Sequence, residues 1–356
     1  MKLLILYSEI AGYTLACLDQ LLQRPDLQVR LIRWPVNAEA PFHFEFGERI
    51  EVIDRSTLSQ AELEEQVRGF APDAIFTSGW IDKGYLKALP QRPRGCPVIC
   101  GLDNQWTGSL RQRVATWLSP WLVRRHFDFM WGAGPRQRAF ARQLGYDDAH
   151  IREGYYSADV ARFNHAYQQQ HAARFSAEGP RRLLYVGRIM AHKGIEELVA
   201  AFLQTDPALG WQLELVGKAD DSVDLPQHAR ISQRDFVQPE ALPAIYGQAQ
   251  AFAFPSRVEP WGVAIHEAAA AGLPLLASDA VGAADVFLEE GQNGFRHQAG
   301  SVASLHEALQ RLMACDAEPL QRMGDHSHAL AQRITPQTWA DTLLDMIHQH
   351  QQAHAH

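Results

Sequence analysis

Short, continuous apolar runs punctuate the first half of the chain at 3–7, 29–34, 50–53, 74–77, 98–102 and 127–131, with a further short one near Ile151. Runs of this length bounded by turn residues predict strands buried on both faces. Between several of them the pattern changes to the helical period, for example over 13–22 and over 60–68, where Gly69 predicts the stop. The second half repeats the alternation. Apolar runs at 183–187, 211–216 and 251–255 predict strands, Lys193-Gly194 opens a helix through Phe202, and a closing helix is predicted over about 338–350. Alternation of this kind predicts an α/β chain with parallel, doubly wound sheets.

The segment 110–127 carries Val114, Trp117, Leu118, Trp121 and Leu122 at the spacing of one helical face, interrupted by Pro120 and accompanied by Arg111, Arg113, Arg124 and Arg125. The stripe is no wider than a sheet-packing helix needs, which predicts a core-facing helix. The alternative for a basic amphipathic helix is docking on a lipid surface.

A chain of 356 residues has room for two ordinary α/β domains. The hydrophobic content of 46% and charged content of 21% are those of a globular protein, and no apolar run approaches the roughly 18 residues of a spanning helix. The opening run leads into Ser8-Glu9 rather than a cleavage site, so it reads as a first strand and not a signal peptide. Four scattered cysteines suit a reducing cytoplasm, and Cys96 and Cys100 read as core thiols. His348, His350, His354 and His356 read as a frayed polar tail. Residues 1–170 hold 20 Lys/Arg against 19 Asp/Glu, whereas residues 171–356 hold 13 against 22. Neither half has the basic excess of a nucleic-acid binder, although the less acidic first half suits peripheral contact with the inner face of an anionic membrane.

The richest chemistry lies in FPSRVEPWGVAIHEAAAAGLP, residues 254–274. After the strand at 251–255, the alanines predict a helix over about 262–271 that Gly272 and Pro274 stop. Helical side chains lean toward the N-terminus, so Glu267, within the helix, and Glu259, in the loop before it, are both expected to face the helix start. The N–H groups of Gly262, Val263 and Ala264 there suit a phosphate, and carboxylates beside them suit sugar hydroxyls. The same residues also read as an Ala-rich core helix with two solvated glutamates. A second strand-turn-helix unit, GRIMAHKGIEELVAAF, places Arg188 and Lys193 beside a helix start, a cationic clamp for a diphosphate or simply two solvated cations. In the first half, the strand-end loops hold Gly12 and the run Asp103-Asn104-Gln105. Asp103 suits either an acceptor-orienting carboxylate or the N-cap of the following helix.

Two glutamates separated by seven residues before AAAAGLPLLASD, together with the Gly-Arg…Lys-Gly motif, resemble the retaining glycosyltransferases of family 4, among the group 1 glycosyltransferases. The resemblance is strong over 183–295 and pattern-level before that. It implies GT-B architecture, two Rossmann-like domains with parallel sheets facing a central cleft. The expected domains are 1–165 on the acceptor side, 166–335 on the nucleotide-sugar side, and a helix at 336–356 crossing back to the first domain. Tyr155 to Phe163 resembles the family's Asn-Gly-Val-Asp…Phe segment, and 164–180 reads as the interdomain linker.

By the same resemblance Arg188 and Lys193 bind the donor diphosphate, Glu267 the ribose and Glu259 the transferred sugar. Gly12 and Gly187 lie near the donor, Phe236 and Val237 hold the base, Trp261, Gly262 and Val263 shape the donor site, and Asp103, Asn104 or Gln105 lines the acceptor side. Where the family has Gly-Phe-Gly after the first glutamate, this chain has Pro260-Trp261-Gly262, and where it often has Gly-Gly, only Gly12 remains. The implied function is transfer of a sugar, with retention, from a nucleoside diphosphate sugar to a hydroxyl of a glycan, lipid-linked or small-molecule acceptor. No cofactor is implied, and the absence of any Asp-x-Asp triplet predicts catalysis without a divalent metal. A GT-B epimerase or phosphorylase, or a silent nucleotide-sugar binder, are the alternatives.

Overall fold

The computed structural model describes residues 1–8, 10–35, 46, 49–176, 179–220 and 223–354. Glu9, in the first strand-end loop, and His356, in the tail, lie outside the described residues. The chain divides into two compact units, Met1–Ser157 with Pro336–His356, and Ala158–Thr335.

Among the described residues the first unit holds seven strands: β1 (Lys2–Tyr7), β2 (Gln28–Arg33), β3 (Ile50–Asp54), β4 (Ala74–Thr77), β5 (Val98–Leu102), β6 (Phe129–Gly132) and β7 (Ile151–Arg152). They pair in parallel in the order β3-β2-β1-β4-β5-β6-β7, with Leu3 of β1 opposite Val29 on one side and Ala74 on the other. The second unit holds β8 (Arg181–Val186), β9 (Trp211–Val216), β10 (Ile231–Arg234), β11 (Ala251–Phe254), β12 (Leu275–Ser278) and β13 (Gly294–His297), parallel in the order β10-β9-β8-β11-β12-β13. All residues of β4, β5, β11 and β12 are buried, as expected of parallel sheets covered on both faces. In each unit the strand order reverses beside the first strand, between β1 and β4 and between β8 and β11. Ligands of such sheets bind outside the carboxyl ends of strands at that reversal. The expected two Rossmann-like domains are therefore present.

Several boundaries differ from the sequence pattern. The units part at Ser157/Ala158 rather than near 165, and the segment read as a polar linker is mostly the helix Val160–Ser176. Its Val160, Phe163 and Phe175 are buried, and Arg174, also buried, donates to the carbonyls of Ala271 at 2.6 Å and Gly272 at 3.2 Å. Gly69 does not stop its helix, which runs Gln60–Phe70 to bury Phe70 and ends at a left-handed Ala71. The segment 110–127 forms two short helices, Leu110–Trp117 and Ser119–Leu122, and its apolar stripe is exposed rather than packed on the sheet. Cys96 and Cys100 are buried free thiols, pushed up to about 12 by burial.

The closing helix, Pro336–Ala353, runs into the expected frayed tail, taking in His348 and His350, and belongs to the first unit. Trp339, Ala340, Leu343, Leu344, Met346 and Ile347 enter the same core as β1, β2 and β4. Trp339 packs on Trp131 at a centroid distance of 4.8 Å, and its indole N–H donates to the Tyr155 carbonyl at 2.8 Å. Trp339→Ala therefore removes a large core side chain and leaves that carbonyl without its donor. A loss of about 3–5 kcal/mol is expected for the first unit in urea denaturation; a loss below about 1 kcal/mol would show that the helix is not part of its core.

Candidate active site

The second unit's candidate residues gather at the carboxyl ends of β8 and β11. After β8 the chain passes Gly187 and Arg188, makes a short turn at Ala191–Lys193 and enters the helix Ile195–Leu203. Gly194 joins turn to helix at φ 72, and a Cβ there would overlap the carbonyl oxygen of Pro255 just beyond β11. This left-handed, close approach requires glycine. Next to it the Arg257 N–H donates to the His192 carbonyl at 2.8 Å, so the two loops are bonded backbone to backbone. The Arg257 guanidinium adds an ion pair with Glu197 of the helix.

The consequence for side chains is an ion pair between the Lys193 ammonium and the Glu259 carboxylate, each only 14% exposed. The ammonium lies 5.7 Å from the centroid of the Phe254 ring. Glu259 is held from its far side too, because Gly282 and Ala283 donate backbone N–H groups to the carbonyls of Glu259 at 3.1 Å and Trp261 at 2.9 Å. Gly262 follows at φ 97 as N-cap of the helix Val263–Ala270, where a Cβ would lie 2.9 Å from the Phe254 ring. The first N–H groups of a helix have no carbonyl one turn earlier to bond, so this partly exposed start is an electropositive end beside the ion pair.

The helix itself is fastened at its middle and end. His266 is fully buried, accepts from the Ala158 N–H at Nδ1 and donates from Nε2 to the Ala331 carbonyl, both at 3.0 Å. This is the neutral tautomer, and burial pushes its pKa down to about 4. Glu267, half-buried one residue on, accepts from the Tyr246 hydroxyl at 3.0 Å. Burial pushes its carboxyl up to about 7; Asp159 adds to the rise, while the Tyr246 hydrogen bond and Arg162 oppose it.

Arg188 is exposed, with its carbonyl accepting from the Tyr185 hydroxyl at 2.8 Å. Burial lowers the His192 pKa, and the charges of Lys193 and Arg188 add to that lowering. Phe236 and Val237 lie half-buried between β10 and the helix Leu242–Gly247, and the Phe236 N–H already bonds the Asp235 carboxylate at 2.6 Å. The Trp261 side chain is buried edge-on against Phe287 at 6.1 Å.

Gly12 and Asp103 belong to the first unit. Gly12 is the first residue of the helix Gly12–Leu21 and has no left-handed backbone. Asp103 follows β5 and is not an N-cap, a place taken by Ser109. Its carboxylate accepts from the Asn104 amide at 3.1 Å and lies 3.4 Å from the Tyr156 hydroxyl, and burial raises its pKa. Gln105 faces Arg136, whose guanidinium donates to it at 3.2 Å. Tyr156 packs tilted against Tyr155 at 4.3 Å and meets Tyr13 edge-on at 5.4 Å, and the Tyr155 and Tyr7 hydroxyls are 2.9 Å apart. Sequence reasoning named neither this tyrosine cluster nor Tyr246. The adjacent pair Tyr155-Tyr156 was the available signal for the cluster; Tyr246 had none.

Residues 167–329 match the family of the glycosyl transferases group 1. That stretch is a group 1 glycosyltransferase domain. Glycogen synthase of Mycobacterium tuberculosis is similar at 27% identity over 288 residues, 75% of this chain and 66% of that protein. D-inositol 3-phosphate glycosyltransferase of Nocardia farcinica is 30% identical over 206 residues, 53% of this chain and 45% of that protein. The matches thus span about two thirds and under half of these curated relatives. Anabaena HepE, solved in complex with UDP and glucose, aligns over 98% of this chain and 100% of its own with TM-score 0.69 at 19% identity, which establishes the GT-B fold. The group 1 domain contains Lys193, Glu259, Gly262, Glu267 and Tyr246.

In the unliganded protein Glu267 is expected to titrate near pH 7 by carboxyl NMR. Because the Tyr246 hydroxyl stabilises its ionised form, Tyr246→Phe moves that titration upward. An ordinary carboxylate titration that the substitution leaves unmoved would contradict the buried, tyrosine-bonded placement.

Proposed function

We propose that this chain transfers a sugar from a nucleoside diphosphate sugar to a hydroxyl acceptor, with retention at the anomeric carbon and without a divalent metal. The observation that carries this reading is the Lys193–Glu259 pair at the β8/β11 reversal, beside the left-handed Gly262 that opens a helix. The group 1 match and the UDP and glucose bound to HepE support the donor class.

Each side chain has work suited to its surroundings. A lysine ammonium has three N–H donors, so Lys193 can hold Glu259 with one and offer others to phosphate oxygens. With exposed Arg188 and the helix start it supplies fixed positive charge where the departing diphosphate gains negative charge, and fixed donors of this kind need no reorganisation as the bond breaks. Two cations and a helix end leave a metal redundant. Glu259, oriented by Lys193, accepts hydrogen bonds from hydroxyls of the transferred sugar. Glu267 does the same for the ribose, and does so best when ionised, so donor affinity should fall as pH drops below about 7. Asp103, its pKa raised by burial, orients an acceptor hydroxyl and takes its proton more readily than an ordinary carboxylate.

The test separates the two glutamates. Glu267→Gln is expected to raise donor KM about tenfold with a smaller change in kcat, because a ribose contact serves ground and transition states alike. Glu259→Gln is expected to lower kcat about a hundredfold, because its contact is to the moving sugar. The reverse pattern would exchange their roles. Transfer should survive exhaustive chelation with EDTA and require acceptor: a loss restored by Mg²⁺ or Mn²⁺ would make the carboxylates metal ligands, and donor conversion without acceptor would mean epimerisation.

A further inference from the structure

Among the described residues nine large apolar side chains are exposed, and five of them are Leu110, Val114, Trp117, Trp121 and Leu122. Trp117 is 73% exposed and Trp121 59%, with the two rings edge-to-face at 6.3 Å. Loose packing does not account for this. The element is fastened from beneath, where the fully buried Ser119 donates its hydroxyl to the Leu144 carbonyl at 2.7 Å and Val123 and Phe127 enter the core. Pro120 and the turn at Leu118 divide the segment into two short helices, so the tryptophans stand outward on a fixed base.

The charge around the stripe has one sign. Residues 104–127 contain Arg111, Arg113, Arg124 and Arg125, all exposed, and no aspartate or glutamate. Against a second copy of this chain, a symmetric contact through this face would oppose arginines to arginines. Tryptophans flanked by arginines instead match the two layers of a lipid headgroup region, the rings at the acyl boundary and the guanidinium groups at the phosphates. No helix among the described residues is long and apolar enough to cross a membrane, so contact here would lie along the surface.

We propose that the Leu110–Leu122 face docks the first unit on an anionic phospholipid surface. Apolar insertion and charge both contribute: each arginine near an anionic leaflet is worth about a fivefold gain in affinity, and added salt screens that gain. The inference stands independently of the proposed transfer reaction, because it is read from binding alone.

The experiment is flotation of the full chain with phosphatidylcholine vesicles and with vesicles of phosphatidylcholine and phosphatidylglycerol. Binding to the anionic vesicles is expected to be tighter by about tenfold or more and to weaken with salt. Trp117→Ser with Trp121→Ser should lower it about tenfold, and separately Arg111→Gln with Arg113→Gln about twenty-five-fold, while leaving circular dichroism and Tm unchanged, since all four side chains are exposed. Leu209→Ser, at an exposed apolar position of the second unit, should bind as the unsubstituted chain. Equal binding to both vesicle types, or wild-type retention by the tryptophan variant, would overturn the proposal. So would concentration-dependent self-association abolished by that variant, which would assign the face to a second copy.

Discussion

The passage of one loop backbone against another, Gly194 against Pro255, is the constraint from which the rest of the second unit's site follows. Only a residue without Cβ fits there, and only one tolerant of φ 72 makes the turn. Parallel strands β8 and β11 bring the two loops to the same sheet end, and the close approach removes the space that would otherwise keep Lys193 and Glu259 apart. An ion pair with both partners 14% exposed has limited solvent screening. Its larger contribution is orientation, since each charge fixes the rotamer of the other before any ligand arrives.

The two glutamates of the neighbouring segment are thereby made chemically unlike. Glu259 has a cationic partner in a loop pinned by backbone bonds from Gly282 and Ala283. Among the described residues Glu267 has no such ion pair; it has a tyrosine hydroxyl and a half-buried setting that lifts its carboxyl to about 7. The helix carrying it is fixed by His266 at its centre and by Arg174 on the carbonyls that follow its last turn, so the carboxyl cannot relax by moving its backbone.

The parts of this arrangement that are local in the chain could be read before the structure. Strands β8 and β11 are continuous apolar runs, and Arg188, Lys193, Glu259 and Glu267 sit at fixed short distances from them. Contacts between distant segments were not legible. Nothing near Glu267 in sequence announces Tyr246, and nothing near Lys193 announces its pairing with Glu259. Trp261 reads as shaping the donor site, and that its indole is buried against Phe287 is not visible in the local sequence. Polar composition over 164–180 suggested a linker; alanine, glutamine and arginine are also good helix formers, and a few buried aromatics sufficed to seat them. At 110–122 the apolar period was correctly read as amphipathic, but periodicity carries no information on which surface the apolar face meets.

The most direct measurement is calorimetric binding of nucleoside diphosphates to the unsubstituted chain, to Lys193→Ala and to Glu259→Gln. If Lys193 is a diphosphate ligand oriented by Glu259, one nucleoside diphosphate binds, Lys193→Ala weakens it about tenfold or more, and Glu259→Gln weakens it less, because the lost orientation is offset by the loss of an anion competing for the ammonium. Unchanged affinity in Lys193→Ala, with the fold intact, would contradict a diphosphate site at the β8/β11 reversal.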